Sequence, residues 1–416
     1  MTTPTALVPD YMHKFKCIGS LCEDSCCIGW GVELDKKTYD SLTKIPNRRL
    51  REAFRNGMEK RSSERTNANF AVMKMNEATG CCSMLNEQKL CTIQAEMGEG
   101  YLAPVCATYP RNIHYVNGNQ EISAVMSCPE AARIALLNPE KMTFSYMTAI
   151  EGSNVLEKEK LSVDHMAQPS YMRSFWDLRV FTIEVLQNRD FAFPHRMIIL
   201  GLFCEEIQKL IDKKQDTEMN IQNTIEQFRT MIESNQELKD YNTFPADQEF
   251  QFVLLNNIIS RNLDSINSNQ RFKECVEDYL EGMSSVGIPH NSNQTSLVDL
   301  YANAFQRYYQ PFMGQHEYIM ENYAVNFIYS HLFPKSQNSD LFENYILLVS
   351  HFALIKLLLV GGSAKHRGLT TDIVLKAIQS FTKISVHSNV YIKHVMNVLS
   401  NSGFMTMGHM SLLIKN

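Results

Sequence analysis

The sequence predicts a mainly α-helical protein, with a small, irregular, cysteine-rich metal-binding domain carrying a short β-hairpin, followed by a multi-helix all-α domain. Three observations predict it. Nine of the 11 cysteines lie in the first 128 residues. From residue 171 onward, apolar side chains recur at helical spacing in one segment after another. Between these parts, residues 138–170 are polar and weakly periodic, as a connector is. The expected division is therefore 1–150 for the cysteine-rich domain and 151–416 for the helical, substrate-presenting domain.

A chain of 416 residues can bury a core of its own and needs no disulfides to stay folded. Its 44 % hydrophobic and 20 % charged residues are those of a globular protein, and a net charge of -5 excludes a generally basic nucleic-acid binder. The start, MTTPTALVPDYMHKFK, lacks the basic opening and apolar run of a secretory signal, so a cytoplasmic location is expected. The most apolar stretch, YILLVSHFALIKLLLV (345–360), is shorter than the roughly 20 residues a bilayer needs and carries His351 and Lys356. It reads as a helix buried in protein, with no membrane partner. A reducing compartment disfavours disulfides, which turns the cysteines toward metal.

Within the first part, NIHYVNGNQEISAV (112–125) has two β-prone arms about Asn117-Gly118-Asn119, a hairpin signature. In the second, residues 171–190 carry a broad apolar stripe through Phe175, Leu178, Phe181, Val185 and Leu186. Residues 194–214 open on Pro194 and close on a basic turn, matching helix polarity. Further helices are expected at 217–235, 247–264, 271–284, 296–312, 318–333, 340–360, 369–382 and 389–400, separated by Asn, Ser, Gly or Pro. No fixed repeat period joins them.

The cysteines open with CIGSLCEDSCCIGW (17–30), continue through CCSMLNEQKLC (81–91) and PVCATYP (104–110), and end at SCPE (127–130). Thiolates two to four residues apart reach one ion or cluster from a single turn, and Cys17, Cys22, Cys26 and Cys27 provide such a turn. Adjacent cysteines diverge in an extended chain, so one of each adjacent pair is expected to serve another site or none. Zinc and iron–sulfur both suit soft thiolates. The absence of any C-x2-C knuckle and the Cys128-Pro129 ending favour iron–sulfur over zinc. Cys204 and Cys275 stand alone on apolar helix faces and read as small buried hydrophobes.

These motifs, together with MENYAVNFIYSHLFP and YILLVSHFALIKLLLVG downstream, resemble the flagellin lysine-N-methylase family over nearly the whole chain. The N-terminal part is similar to a wider cysteine-cluster family described as zinc- or iron-chelating. The resemblance implies a bacterial cytoplasmic enzyme that transfers methyl groups from S-adenosylmethionine to flagellin lysines, with a 4Fe-4S cluster. It implies a ligand set of Cys17, Cys22, Cys26, Cys27, Cys82, Cys91, Cys106 and Cys128, with Cys81 outside it. Eight thiolates exceed what one such cluster takes, so a second metal is present or some of the eight are structural. Neither the glycine-rich turn of ordinary methyltransferases nor the C-x3-C-x2-C of radical enzymes occurs.

Methyl transfer by displacement needs a neutral amine, and lysine ordinarily titrates near 10.4 (approximately), so a site must lower that value or remove the proton. Glu99, Tyr109 and Glu130 are the catalytic candidates, with Tyr101 nearby. Arg111 suits the carboxylate of S-adenosylmethionine, and would as readily brace Glu130. The basic stretch 44–65 could guide an acidic partner such as flagellin, or be an ordinary solvated helix face. The alternative to an enzyme is a non-catalytic iron- or zinc-binding interaction protein.

Overall fold

The computed structural model describes residues 4–152, 154–165, 167–234, 246–260, 269–285, 297–336, 340–386 and 389–415. The chain forms two compact units, Met1–Ala131 with Phe144–Leu161, and Ala132–Thr143 with Ser162–Asn416.

In the first unit the expected hairpin is present as β5 (Arg111–Val116) and β6 (Asn119–Ala124). Val116 pairs with Asn119, and Asn117 and Gly118 turn the chain with φ of 48° and 82°. Two successive left-handed residues give the turn whose twist matches the strands. Where the sequence predicts a short hairpin, the structure has a five-stranded sheet that includes it, in the order β7-β1-β6-β5-β8. Its β1 (Thr5–Pro9) runs parallel to β6, while β7 (Phe144–Thr148) and β8 (Glu159–Leu161) come from the stretch predicted to be a connector. That stretch looks polar because its strands lie at the two edges of the sheet, where few side chains are buried.

A second sheet pairs β2 (Glu33–Leu34), β4 (Ala71–Met73) and β3 (Met58–Lys60). Helices α1 (Lys36–Thr43) and α2 (Arg48–Asn56) begin at Asp35 and Asn47, whose side chains accept from the amides of Thr38 at 2.7 Å and Leu50 at 3.1 Å. Leu34, Leu42, Phe54, Met58 and Ala71 form the apolar core there. Within the basic stretch, Arg51 and Arg55 donate to the carbonyls of Ile45 (2.8 Å) and Thr43 (3.1 Å), which closes the end of α1. The short helices α3 (Thr92–Met97), α4 (Pro104–Thr108) and α5 (Pro129–Leu136) follow.

The second unit contains α6 (Phe175–Leu186), α7 (Phe193–Asp212), α8 (Glu218–Ser234), α9 (Gln248–Ser260), α10 (Gln270–Ser285) and α11 (Leu297–Ala304). Then come α12 (Gln310–Met313), α13 (Tyr318–Ser330), α14 (Leu341–His366), α15 (Thr371–Ser385), α16 (Asn389–Asn401) and α17 (Met407–Ile414). Each predicted helical segment carries a helix, while the predicted ends at 235 and 264 and the start at 296 lie outside the described residues. α17 was not predicted. The segment predicted as one helix over 296–312 is interrupted by a π-helical turn, Phe305–Tyr309, just before Pro311. Proline has no amide to donate to the preceding turn, and the wider turn accommodates it.

α14 is the core helix. It is long and apolar enough to cross a membrane, yet its most apolar 18 residues are 94 % buried inside the protein. α10 packs closely on it, because a Cβ on Gly361 would lie 2.8 Å from the Cα of Tyr279.

Candidate metal centre and active site

The thiols of the first unit are gathered by pairing between loops far apart in sequence. The Cys82 amide donates to the Cys27 carbonyl at 2.7 Å and the Gly29 amide to the Gly80 carbonyl at 3.0 Å, laying one cysteine loop along another. Leu85 bridges to Cys91, closing a turn in which Asn86 Oδ1 accepts from the Leu90 amide at 2.9 Å. Cys91 then stands at the N-cap of α3, and Cys106 lies within α4. Cys27, Cys82, Cys91 and Cys106 all flank the apolar core of Leu34, Phe54 and Met84.

Cys26 and Cys27 sit in a turn, and the Cys27 thiol hydrogen-bonds to both Cys26 and Cys91. Cys81 and Cys82 part as adjacent cysteines are expected to, the Cys81 thiol donating to the Thr79 carbonyl. The hydrogen bonds to Cys26 and Cys91 push Cys27 well above the usual thiol range. The same bond from Cys27 draws Cys91 down to about 6, helped by the amides of Gln94 and Ile93 at the start of α3. Burial raises Cys106, and the charges of Cys91, Cys26 and Cys82 add to it.

Cys128 is acted on electrostatically by Cys22 and Cys17. Burial pushes Cys128 up to about 12, with the charges of Cys22 and Cys17 adding to it and the amides of Ala131 and Glu130 opposing. Cys22, raised chiefly by burial, also feels Cys26. All eleven cysteines are free thiols. Among the described residues no three His, Cys, Asp or Glu converge on a point where one ion could sit.

Cys81 turns away from these sulfurs, its thiol donating to the Thr79 carbonyl at 3.8 Å. Trp30 donates from its indole to the Cys26 carbonyl at 2.5 Å, and its ring lies 6.0 Å from that of Tyr109. Tyr109 is brought to the thiols, and its hydroxyl lies 3.2 Å from Ser127 Oγ. Burial, then the charge of Cys128, hold its pKa well above the phenol range. Glu130 lies in the first turn of α5, two residues after Cys128. Glu99 is exposed, its carbonyl accepting from Asn154 at 3.0 Å, and Tyr101 is exposed beside it. The Arg111 guanidinium rests 5.4 Å over the Phe15 ring. Cys204 and Cys275 are buried, the latter 3.5 Å from Ser380 Oγ.

Chemistry that the sequence did not single out lies in the helical unit. Glu321 is fully buried and accepts from Arg189 in a fork at 2.8 and 3.0 Å and from Arg196 at 2.5 Å. Glu317 accepts from the Phe193 amide at 2.9 Å and from Arg196 at 3.3 Å. Lys356, read from sequence only as an argument against a membrane span, is buried with its Nζ donating to the carbonyls of Leu413 (3.0 Å) and Ile414 (3.1 Å). Glu317, at the N-cap of α13, and Glu321, one turn into it, were the available signal.

Residues 179–413 match the FliB lysine N-methylase C-terminal domain. The chain belongs to the FliB lysine N-methylase family. It is 22 % identical over 396 residues, 94 % of each chain, to the lysine-N-methylase of Salmonella typhimurium (strain LT2), and equally to that of Salmonella choleraesuis (strain SC-B67). It is 27 % identical over 154 residues to the flagellar biosynthetic protein FliU of Salmonella muenchen, covering 37 % of this chain and 90 % of that one. No solved structure matches it. The domain match of this lysine N-methylase family member covers helices of the second unit, and the thiol-rich loops precede it.

Proposed function

We propose that this methylase family member transfers methyl groups from S-adenosylmethionine to lysine side chains of flagellin, in the cytoplasm, with a thiolate-held 4Fe-4S cluster. The observation that carries the proposal is the family match over residues 179–413. The link to flagellin is supported by the flagellar name of a relative similar over 154 residues.

The donor chemistry fits an iron–sulfur group. Cys26, Cys27, Cys82, Cys91 and Cys106 act on one another electrostatically, and all are free thiols. The residues assigned to hold it are Cys17, Cys22, Cys26, Cys27, Cys82, Cys91, Cys106 and Cys128, of which some serve the fold or a second metal. When bound, S-adenosylmethionine supplies an electrophilic methyl on a sulfonium, and the cluster supplies redox or structural chemistry.

The chain's own groups divide the remaining work. A lysine amine must arrive neutral, and its proton must leave to a carboxylate; Glu130, beside Cys128, is the assigned acceptor, with Glu99 the second candidate. Tyr109, kept protonated by burial, donates a hydrogen bond. Arg111, which rests over Phe15, is assigned the other role its guanidinium offers, bracing the carboxylate of Glu130.

The test is incubation of protein purified without oxygen with flagellin and methyl-labelled S-adenosylmethionine. Label on flagellin lysines is expected, together with iron and sulfide in the protein. Absence of label from an iron- or zinc-loaded preparation overturns the enzyme in favour of a non-catalytic metal-binding protein.

A further inference from the structure

The helical unit carries a half-open cavity of about 280 Å³, lined by Phe193, Phe305, Tyr309, Phe352, Glu317 and Lys356 among others. Three features mark it as built to take a ligand. Phe305 and Tyr309 belong to the π-helical turn, a distortion that recurs at functional sites, and their rings stack with centroids 5.1 Å apart. Glu317 is fixed on one wall by the Phe193 amide and Arg196. Lys356 is fixed on another by two carbonyls of the last turn of α17, its Nζ 5.4 Å from the Phe352 ring centre.

Two other cavities among the described residues differ in kind. The larger, about 680 Å³, is an open groove with Asp247 and Glu249 at its rim and no Lys or Arg in its lining. A third holds only about 10 Å³ and is walled by apolar and aromatic side chains. The 280 Å³ cavity therefore combines aromatic surface with a fixed carboxylate and a buried amine. A ligand complementary to all three carries an aromatic base, an anionic group and a cationic group. Burial draws Lys356 down to about 7, so an incoming carboxylate would be met by an amine able to recharge.

We propose that this cavity is the S-adenosylmethionine site, with the adenine against Phe305 and Tyr309, the carboxylate toward Lys356, and the amino and sulfonium groups toward Glu317. The assignment rests on the proposed use of that methyl donor. It places the donor within the residues of the family match, at groups contributed by α7, the π-helical turn, α13 and α14.

The test is equilibrium dialysis of the full chain, purified without oxygen, against S-adenosylhomocysteine and against methylthioadenosine, which has the adenine but no amino-acid end. Phe305→Ala is expected to weaken both at least tenfold. Lys356→Met is expected to weaken S-adenosylhomocysteine at least tenfold and to leave methylthioadenosine unchanged. Phe305 is half-buried on the cavity wall, so that variant keeps the assignment testable should Lys356→Met fail to fold. Wild-type affinity in Phe305→Ala overturns the site, while label transfer to flagellin by the wild type would leave the proposed function standing. Wild-type protein that neither binds S-adenosylhomocysteine nor transfers label overturns both.

Discussion

The two units hold their chemically costly groups in opposite ways. The first is made of short pieces, with strands of 2 to 6 residues and helices of 5 to 9, and its thiols lie at helix starts and in turns on the flank of a small core. The second is made of long helices, up to the 26 residues of α14, and sinks charged groups into the interior where other charges and carbonyls meet them. Short elements leave many helix and strand ends unsatisfied, and such ends are where a thiolate or a bound group finds amide donors. Long helices satisfy their own backbone and leave only side chains to be paired. The first unit therefore gathers its sulfurs through loop pairing, and the second buries its charges among helices.

The largest effect follows from that contrast. On the proposed cluster, treatment with an iron chelator, or replacement of Cys27 and Cys91 with serine, is expected to cut methyl transfer by about 100-fold, by analogy with disrupted metal shells. Limited proteolysis should then cut within residues 17–128, while the far-ultraviolet helical signal of the second unit persists. Full activity of a colourless, metal-free preparation would remove the first half of the comparison.

Next comes the buried ion network. Glu321→Ala leaves Arg196, only 2 % exposed, facing Glu317 alone, and breaking such a pair typically costs about 3–5 kcal/mol. Denaturant unfolding followed by circular dichroism measures it. Replacing Arg196 and Glu321 together with Met and Leu should recover most of the loss, because the desolvation of both charges disappears with them. If the single and double variants are equally unstable, packing and not charge pairing governs this part of the helical unit.

The same contrast decides what the sequence reveals. α14 is legible because its apolar run is continuous, and the β5–β6 turn because Asn117-Gly118 is a local signal. β1 is not legible: its five residues pair with β6 at Gln120 and with β7 at Thr148, and nothing near Thr5 announces partners more than a hundred positions away. The cysteines could be counted from sequence, but their grouping depends on the Cys82 amide meeting the Cys27 carbonyl, a contact no spacing encodes. The charged cavity wall was hidden for a related reason. Lys356 looks like an interruption of an apolar helix until the last turn of α17 brings carbonyls to it, and α17 itself went unpredicted.

The smallest expected effect concerns pH. His351 on α14 accepts or donates through Nδ1 to the Tyr323 hydroxyl at 2.9 Å and is edged by the rings of Phe327 and Phe381. Burial, with a smaller contribution from His331, lowers its pKa from the usual 6.5 to about 3. The folded protein thus holds a neutral imidazole that the unfolded chain would protonate below about 6.5. Because the unfolded state binds the extra proton, stability is fully present above that value and falls as pH drops toward 3. Between pH 7 and 5.5 the loss is about 1 kcal/mol from this group. His351→Gln keeps a polar partner for Tyr323 without a titrating ring, so its stability should lose that slope while wild type retains it. Hydrogen exchange should locate the acid-dependent opening in α13 and α14 and not in the β5–β6 hairpin. Equal acid sensitivity in the variant would mean that His351 is already neutral in the unfolded ensemble or remains protonated in the folded one.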